Sequence, residues 1–303
     1  MEAEFHRWLV EHVPAHPSLP LGLADDAAVL KRSMLPDLVI TNDLLSDGVD
    51  FRLDEIDPRR AGRKALAVNL SDLAAMAARP IAATVSIALP RQGAAGRSPL
   101  ELAISLYEGL LPLAKEFDVA IAGGDTNVHD GPTVISITAL GEVGPRGPLT
   151  RSGGQAGDWL LVTGAIGGSM AGHHFDFTPR VREAMLLHER YDLRAGMDIS
   201  DGLSLDAARL AAASGCGAVI DLDKIPLSAA ARELADPVSH ALGDGEDFEL
   251  LLAAPPEVAR AIVADACVDC AITCVGELTD QQGLWYQAPD GTRSPATPIG
   301  WQH

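Results

Sequence analysis

Short apolar runs of strand length alternate with longer alanine-rich helical patterns along the whole chain, and this alternation fits an α/β or α+β architecture rather than a bundle or a sandwich. The strand patterns lie at 37–43, 83–90, 119–125, 134–143, 158–164, 217–222, 248–254 and 272–278. Helical patterns cover 59–79, 100–117, 179–188, 203–214 and 256–266. The stretch GPRGPLTRSGGQAGD at 144–158 breaks both periods, which places a domain boundary near residue 148 and predicts units of 1–148 and 149–303. With 303 residues, each unit is long enough to bury a core of its own. A hydrophobic content of 47% with 21% charged residues excludes disordered and collagen-like chains.

Acidic side chains outnumber basic ones by 42 to 23, a formal charge of 23 − 42 = −19. Such a surface repels nucleic-acid backbones, and no basic stripe offsets it, so no nucleic-acid partner is expected. The only lysines are Lys31, Lys64, Lys115 and Lys224, which leaves arginine or a divalent metal to neutralise any bound phosphate. The acidity equally suits a chain that is merely kept soluble. No apolar run approaches the roughly 20 residues of a membrane span, and the opening MEAEFHRWLVEH carries acids where a secretory leader carries a basic patch. A cytoplasmic protein without a membrane partner is the expectation. Four cysteines make no disulfide framework, and the CxxC of Cys267 and Cys270, with Cys274 nearby, lacks the further ligands of a zinc site.

The position of the carboxylates says more than their number. Asp25, Asp26, Asp43, Asp125, Asp198, Asp201, Asp244, Glu246 and Asp247 stand near the ends of apolar runs, beside glycine or other small residues. That is where an α/β sheet presents its ligand-binding edge, and a short carboxylate on a turn fixes an oxygen as a hard cation such as Mg²⁺ requires. Each alone also fits an ordinary turn or helix cap. Asp72 differs, because it sits inside a helical pattern on a stripe with Ala65, Asn69 and Met76. A polar pair on that stripe either faces water or needs a partner such as a cation.

No GxxxxGK[ST] loop and no GxGxxG after a strand occurs, so this is not a P-loop chain. Two glycine-rich segments, at 123–126 and in GAIGGSMAG, are either anion cradles of backbone N–H groups or plain tight turns. Arg151 is either a phosphate clamp or a surface arginine. The pair His173 and His174 reads as surface, and Ser71, Ser200 and Ser204 lack the context of a nucleophile elbow.

Taken together, GLADDAAVL, TNDLLSDGVDF, KALAVNLSDLAAMAA, IAGGDTN, LTRSGG, MDISDGL and LGDGEDFELLL resemble the thiamine-monophosphate kinase family, in the same order over about 21–301. The wider superfamily includes aminoimidazole ribonucleotide synthetase, selenophosphate synthetase and a hydrogenase-maturation protein. The resemblance implies a two-domain ATP-binding fold of the aminoimidazole ribonucleotide synthetase type, dimerised through an N-terminal sheet and closed by a C-terminal α/β domain. It implies ATP and thiamine monophosphate as substrates, several Mg²⁺ ions, direct in-line phosphoryl transfer and a homodimer. It assigns metal binding to Asp26, Thr41, Asn42, Asp43, Asp72, Asp125, Asp198 and Asp201. Nucleotide contacts fall to Tyr107, Gly124, Asp125, Arg151 and Ser200, and substrate contacts to Asp50, Glu246 and Trp301. No catalytic base is implied, since an ionised acceptor phosphate needs positioning and charge screening only.

The chain departs from the family pattern with Ala24 in place of glycine, Asn42 in place of threonine, Asp50 in place of histidine, and a shorter 168–196 region. Asn42 can still offer a carbonyl oxygen to a metal, whereas Asp50 puts a negative group near the substrate. Another ATP-using synthetase of the superfamily, or a non-catalytic nucleotide-binding relative, stays open as an alternative.

Overall fold

The computed structural model describes residues 25, 27–32 and 36–301. Five strands form the first sheet: β1 (Ala28–Leu30), β2 (Leu38–Ser46), β3 (Ala78–Pro90), β4 (Ala120–His129) and β5 (Val134–Val143). Their order is β1-β2-β5-β3-β4, antiparallel except where β3 meets β4. Along β5 burial alternates residue by residue, with Ile135, Ile137 and Ala139 on the covered face. Two helices, α1 (Pro58–Ala75) and α2 (Pro99–Glu116), lie against that face and against each other.

The helix α1 begins where Asp57 accepts from the Arg59 N–H at 2.9 Å and Pro58 fills the first turn. It ends at Ala75, because Ala77 adopts a left-handed φ of 50° and β3 starts at Ala78. The helical pattern thus runs past the true end, and β3 starts five residues ahead of its expected position at 83. Alanines at 74, 75, 77 and 78 suit either element, so the pattern carries no stop signal before Pro80.

The second sheet is mixed and seven-stranded. Its members are β6 (Trp159–Thr163), β7 (Ala195–Asp198), β8 (Gly217–Asp221), β9 (Leu250–Ala254), β10 (Ile272–Thr279), β11 (Leu284–Gln287) and β12 (Arg293–Ala296), in the order β12-β11-β8-β10-β6-β9-β7. Helices α3 (His173–Asp176), α4 (Val181–Arg190), α5 (Leu203–Ala213), α6 (Ala229–Arg232), α7 (Pro237–Gly243) and α8 (Pro256–Asp265) accompany it. One apolar core lies within this half, but the other spans both, joining Leu66 and Leu70 of α1 to Phe175, Phe177, Leu187, Phe248 and Ile262. The glycine-rich segment after β5 is pinned on both sides. Leu149 is buried and donates its N–H to the Met76 carbonyl at 3.1 Å, while the Thr150 carbonyl accepts from Gly196 at 2.9 Å.

Two glycines let α1 and α2 cross with their backbones in contact. A Cβ on Gly62 would lie 2.0 Å from the Leu106 carbonyl oxygen, and one on Gly109 would lie 1.8 Å from that of Arg59. Gly62→Ala therefore forces the helices apart and lowers stability by about 3 kcal/mol, read as a lower denaturation midpoint by circular dichroism. An unchanged midpoint contradicts this packing.

Candidate active site

Because α1 is buried on nearly every side, its polar groups must find partners from other elements. On one flank Thr41, from the covered face of β2, donates its hydroxyl to the Asp72 carboxylate. On the other, Ser71 donates to Asp198 at 2.6 Å, at the end of β7. One turn of α1 thereby joins an acid-bearing strand of the first sheet to one of the second. Asn69 is fully buried, which removes the water-facing alternative for that stripe. Its amide donates to the Ala65 carbonyl at 3.0 Å, and its Oδ1 has no partner.

Asp43 stands two residues beyond Thr41 on the same face of β2. Its Oδ2 is buried without a hydrogen-bond partner, and burial, then the nearby Asp50 charge, pushes its carboxyl up to about 6. Asp43 and Asn69 thus each keep a buried acceptor oxygen without a hydrogen-bond partner, the kind of oxygen that a hard cation takes. Among the described residues, no three acidic, cysteine or histidine side chains stand together at ligand spacing. Asp26 lies outside the described residues.

Asn42 and Asp125 are not brought to this cluster. Asn42 is on the opposite face of β2, its amide donating to the Ile137 carbonyl at 3.0 Å and to Thr138 at 2.9 Å. The register Asp43, Ile137, Val85, Gly124 puts Gly124 three strands from Asp43, or about 14 Å. Asp125 follows, opposite Ser86 and exposed on the uncovered face. The segment 123–126 is accordingly part of an edge strand rather than a turn. Gly124 is required there because a Cβ would meet the Val85 carbonyl oxygen at 1.8 Å.

Past β7 the chain turns through Ser200 and Asp201. The Ser200 carbonyl accepts from the Glu246 N–H at 2.6 Å, and the Asp201 carbonyl accepts from Trp301 at 2.9 Å, so Glu246 and Trp301 flank one turn. Asp201 also pairs with Arg209. The Arg151 N–H donates to the Asp25 carboxylate at 3.0 Å, and its carbonyl accepts from Ser214 at 3.0 Å. Tyr107 lies on an outward face of α2 in a shallow, open depression shared with Ala103, Ile104, Glu108 and Leu111. The Asp50 carboxylate accepts from its own turn, at the Ser46 N–H, at 2.7 Å.

The structure corrects one sequence expectation and decides between the two readings of another. His174 is buried rather than at the surface, bonded through Nδ1 to the Ser169 carbonyl at 2.8 Å, and burial lowers its pKa. The glycine-rich bend after β6 does offer N–H groups to anions, but they are the chain's own carboxylates. Gly167 donates to Asp247 at 2.8 Å and Gly168 to Asp244 at 3.0 Å. Sequence reading also missed Lys64, whose ammonium reaches Glu246 at 2.7 Å. Lys64 follows Arg59, Arg60 and Arg63 in the same helix, so nothing in its local sequence sets it apart.

Burial, with minor help from Glu249, Asp244 and Asp206, pushes the Asp247 carboxyl up to about 8 from 3.8. The folded state thus holds a proton that the unfolded chain releases near 3.8, so stability falls as pH rises across that interval. Asp247→Asn keeps an acceptor for Gly167 and removes the titration. Its melting temperature should fall less than that of the parent between about pH 5 and about pH 8, and an equal fall contradicts the assignment.

Residues 24–143 match the family described as AIR synthase related protein, N-terminal domain, and residues 155–286 match its C-terminal counterpart. The thiamine-monophosphate kinase of Rhodopirellula baltica is 41% identical, with 100% of this chain and 97% of the relative aligned. That of Escherichia coli K12 is 36% identical over 88% and 86% of the two chains. Among solved structures, AaThiL complexed with AMPPCP and TMP superposes with a TM-score of 0.83 at 26% identity, covering 100% of this chain and 96% of the other. The thiamine-monophosphate kinase of Stenotrophomonas maltophilia gives 0.75 at 32% identity, covering 96% of each. With the same two-sheet architecture and this likeness along its full length, the chain is an AIR synthase-type enzyme that belongs to the thiamine-monophosphate kinase family.

Proposed function

We propose that this enzyme transfers the γ-phosphoryl group of ATP in line to the phosphate of thiamine monophosphate, giving thiamine diphosphate and ADP. The observation that carries the reading is the turn of α1 on which Asp72 meets Thr41 and Ser71 meets Asp198. It gathers acids from both halves in one place, where two anions must be made to react. The family's AaThiL bound AMPPCP and TMP, which agrees with these two substrates.

Thr41, Asp43, Asp72, Asp198 and Asp201, with Asp26, are the residues that would hold Mg²⁺. When bound, the metal supplies positive charge that screens the repulsion between donor and acceptor phosphates. Tyr107 and its apolar neighbours provide a flat surface for the base. Arg151 and Ser200 contact the phosphates of the nucleotide. Asp50, Glu246 and Trp301 orient the acceptor, and positioning replaces a general base because the acceptor phosphate is already ionised.

We further infer two domains meeting near residue 148, a cytoplasmic location and a homodimer. No helix among the described residues is long and apolar enough to cross a membrane. The uncovered face of the first sheet exposes Asn42, Leu44 at 62%, Thr84, Ser86 and Asp125. Pairing that face with a second copy puts Asn42 and Asp125 at an intersubunit groove, on the side of the sheet away from Thr41 and Asp43.

The test is ADP formation with and without thiamine monophosphate, alongside Asp72→Asn. ADP release should depend on thiamine monophosphate and yield the diphosphate. Asp72→Asn should lose about a hundredfold or more of the rate, with thermal stability held or raised because a like charge is removed. Release indifferent to thiamine monophosphate points to another superfamily synthetase, and nucleotide binding without turnover points to a non-catalytic relative. A folded Asp72→Asn protein with normal turnover removes the metal assignment.

A further inference from the structure

Lys64 is the most deeply buried charge on α1, with its side chain 1% exposed. An ammonium there is tolerated only if its charge is offset and its three N–H donors are met. All three are. They reach the Asp50 carbonyl at 2.8 Å and the two Glu246 carboxylate oxygens at 2.7 and 2.9 Å. The Phe175 ring covers the ammonium, with its centroid 5.2 Å away.

The two partners belong to different halves of the molecule. Asp50 lies on the turn after β2, and Glu246 lies on the loop before β9, 182 residues from Lys64. That loop is conformationally demanding, with Glu246 at φ 53° and Phe248 at φ 51°. Its backbone is fixed by the Glu246 N–H on the Ser200 carbonyl. Among the described residues, Lys64 alone donates hydrogen bonds to the Glu246 carboxylate. Glu246 nevertheless stays 27% exposed at its side chain, so a ligand can reach it from the side that Lys64 leaves open.

We propose that Lys64 is a positioning residue for the acceptor substrate. It locks the Glu246 carboxylate and the Asp50 peptide into one unit bridging the two halves, and it offsets the charge of Glu246 beside an anionic acceptor. Its donors are spent on the protein, so it acts through Glu246 rather than by touching substrate. The inference rests on the proposed reading of Glu246 as an acceptor contact.

The test uses the full chain and measures ADP formation against each substrate in turn for Lys64→Met, Lys64→Gln, Glu246→Gln and the double variant Lys64→Gln/Glu246→Gln. Lys64→Met should raise the acceptor KM about tenfold and Lys64→Gln by less, with the KM for ATP within about twofold of the parent. In the Glu246→Gln background, Lys64→Gln should add at most about twofold, since the carboxylate it positions is gone. Circular dichroism establishes folding, and if Lys64→Met does not fold, Lys64→Gln decides, because its amide still donates. A folded Lys64→Gln with the parent's acceptor KM, while Glu246→Gln raises it, overturns the proposal alone. Additive effects of the two sites, or an equal rise in the KM for ATP, overturn it as well. A parental acceptor KM in Glu246→Gln instead removes the reading of Glu246 on which the proposal rests.

Discussion

A helix covered on almost all sides cannot leave polar side chains unanswered, and α1 carries four of them between Lys64 and Asp72. Each unsatisfied group costs about 1–3 kcal/mol, which over four groups rivals the 5–15 kcal/mol by which a typical domain is stable. The partners come from outside the helix: Glu246 for Lys64, Asp198 for Ser71, Thr41 for Asp72. Satisfying the helix and assembling the site are therefore one problem. Buried oxygens are left unanswered at Asn69 on the helix and at Asp43 on the strand beneath it, as well as at Thr133 and Asp247 elsewhere in the fold.

The sheet under α1 divides the remaining groups by face. Thr41 and Asp43 look inward to the helix, while Asn42, between them, spends its amide on β5 on the other side. A threonine-to-asparagine departure at 42 consequently alters the uncovered face rather than the acid cluster. The departure at Asp50 is similarly contained. Its carboxylate is occupied by the Ser46 backbone and its carbonyl by Lys64, so the added charge is partly tied down by the turn that carries it.

Much of this was legible before any coordinates. The α1 and α2 patterns are long and strongly helical, and the stripe of Asn69 and Asp72 follows from helical spacing alone. β7, β11 and β12 escaped notice because four residues without alternation carry no period. Spacing could not decide whether Asn69 meets water, since that depends on what the rest of the chain lays over it. The link between Lys64 and Glu246 had no sequence signal, because nothing local relates residues that far apart. The bend after β6 was recognisable as a donor of N–H groups, but its recipients, Asp244 and Asp247, arrive only through the tertiary fold.

Many of the bonds between the two halves are strung along α1 from Arg60, which pairs with Asp176 at 2.5 Å, to Met76, whose carbonyl holds Leu149, while Arg182 on the Glu116 carbonyl and Arg146 on the His188 carbonyl tie the halves together beside it. Over 16 residues of helical rise that is a seam about 24 Å long. Sliding one half along the helix axis breaks every bond of the seam together. With Arg60, Lys64 and Ser71 gripping the second half from successive turns of one helix, α1 acts as a rail that fixes the two halves along its length.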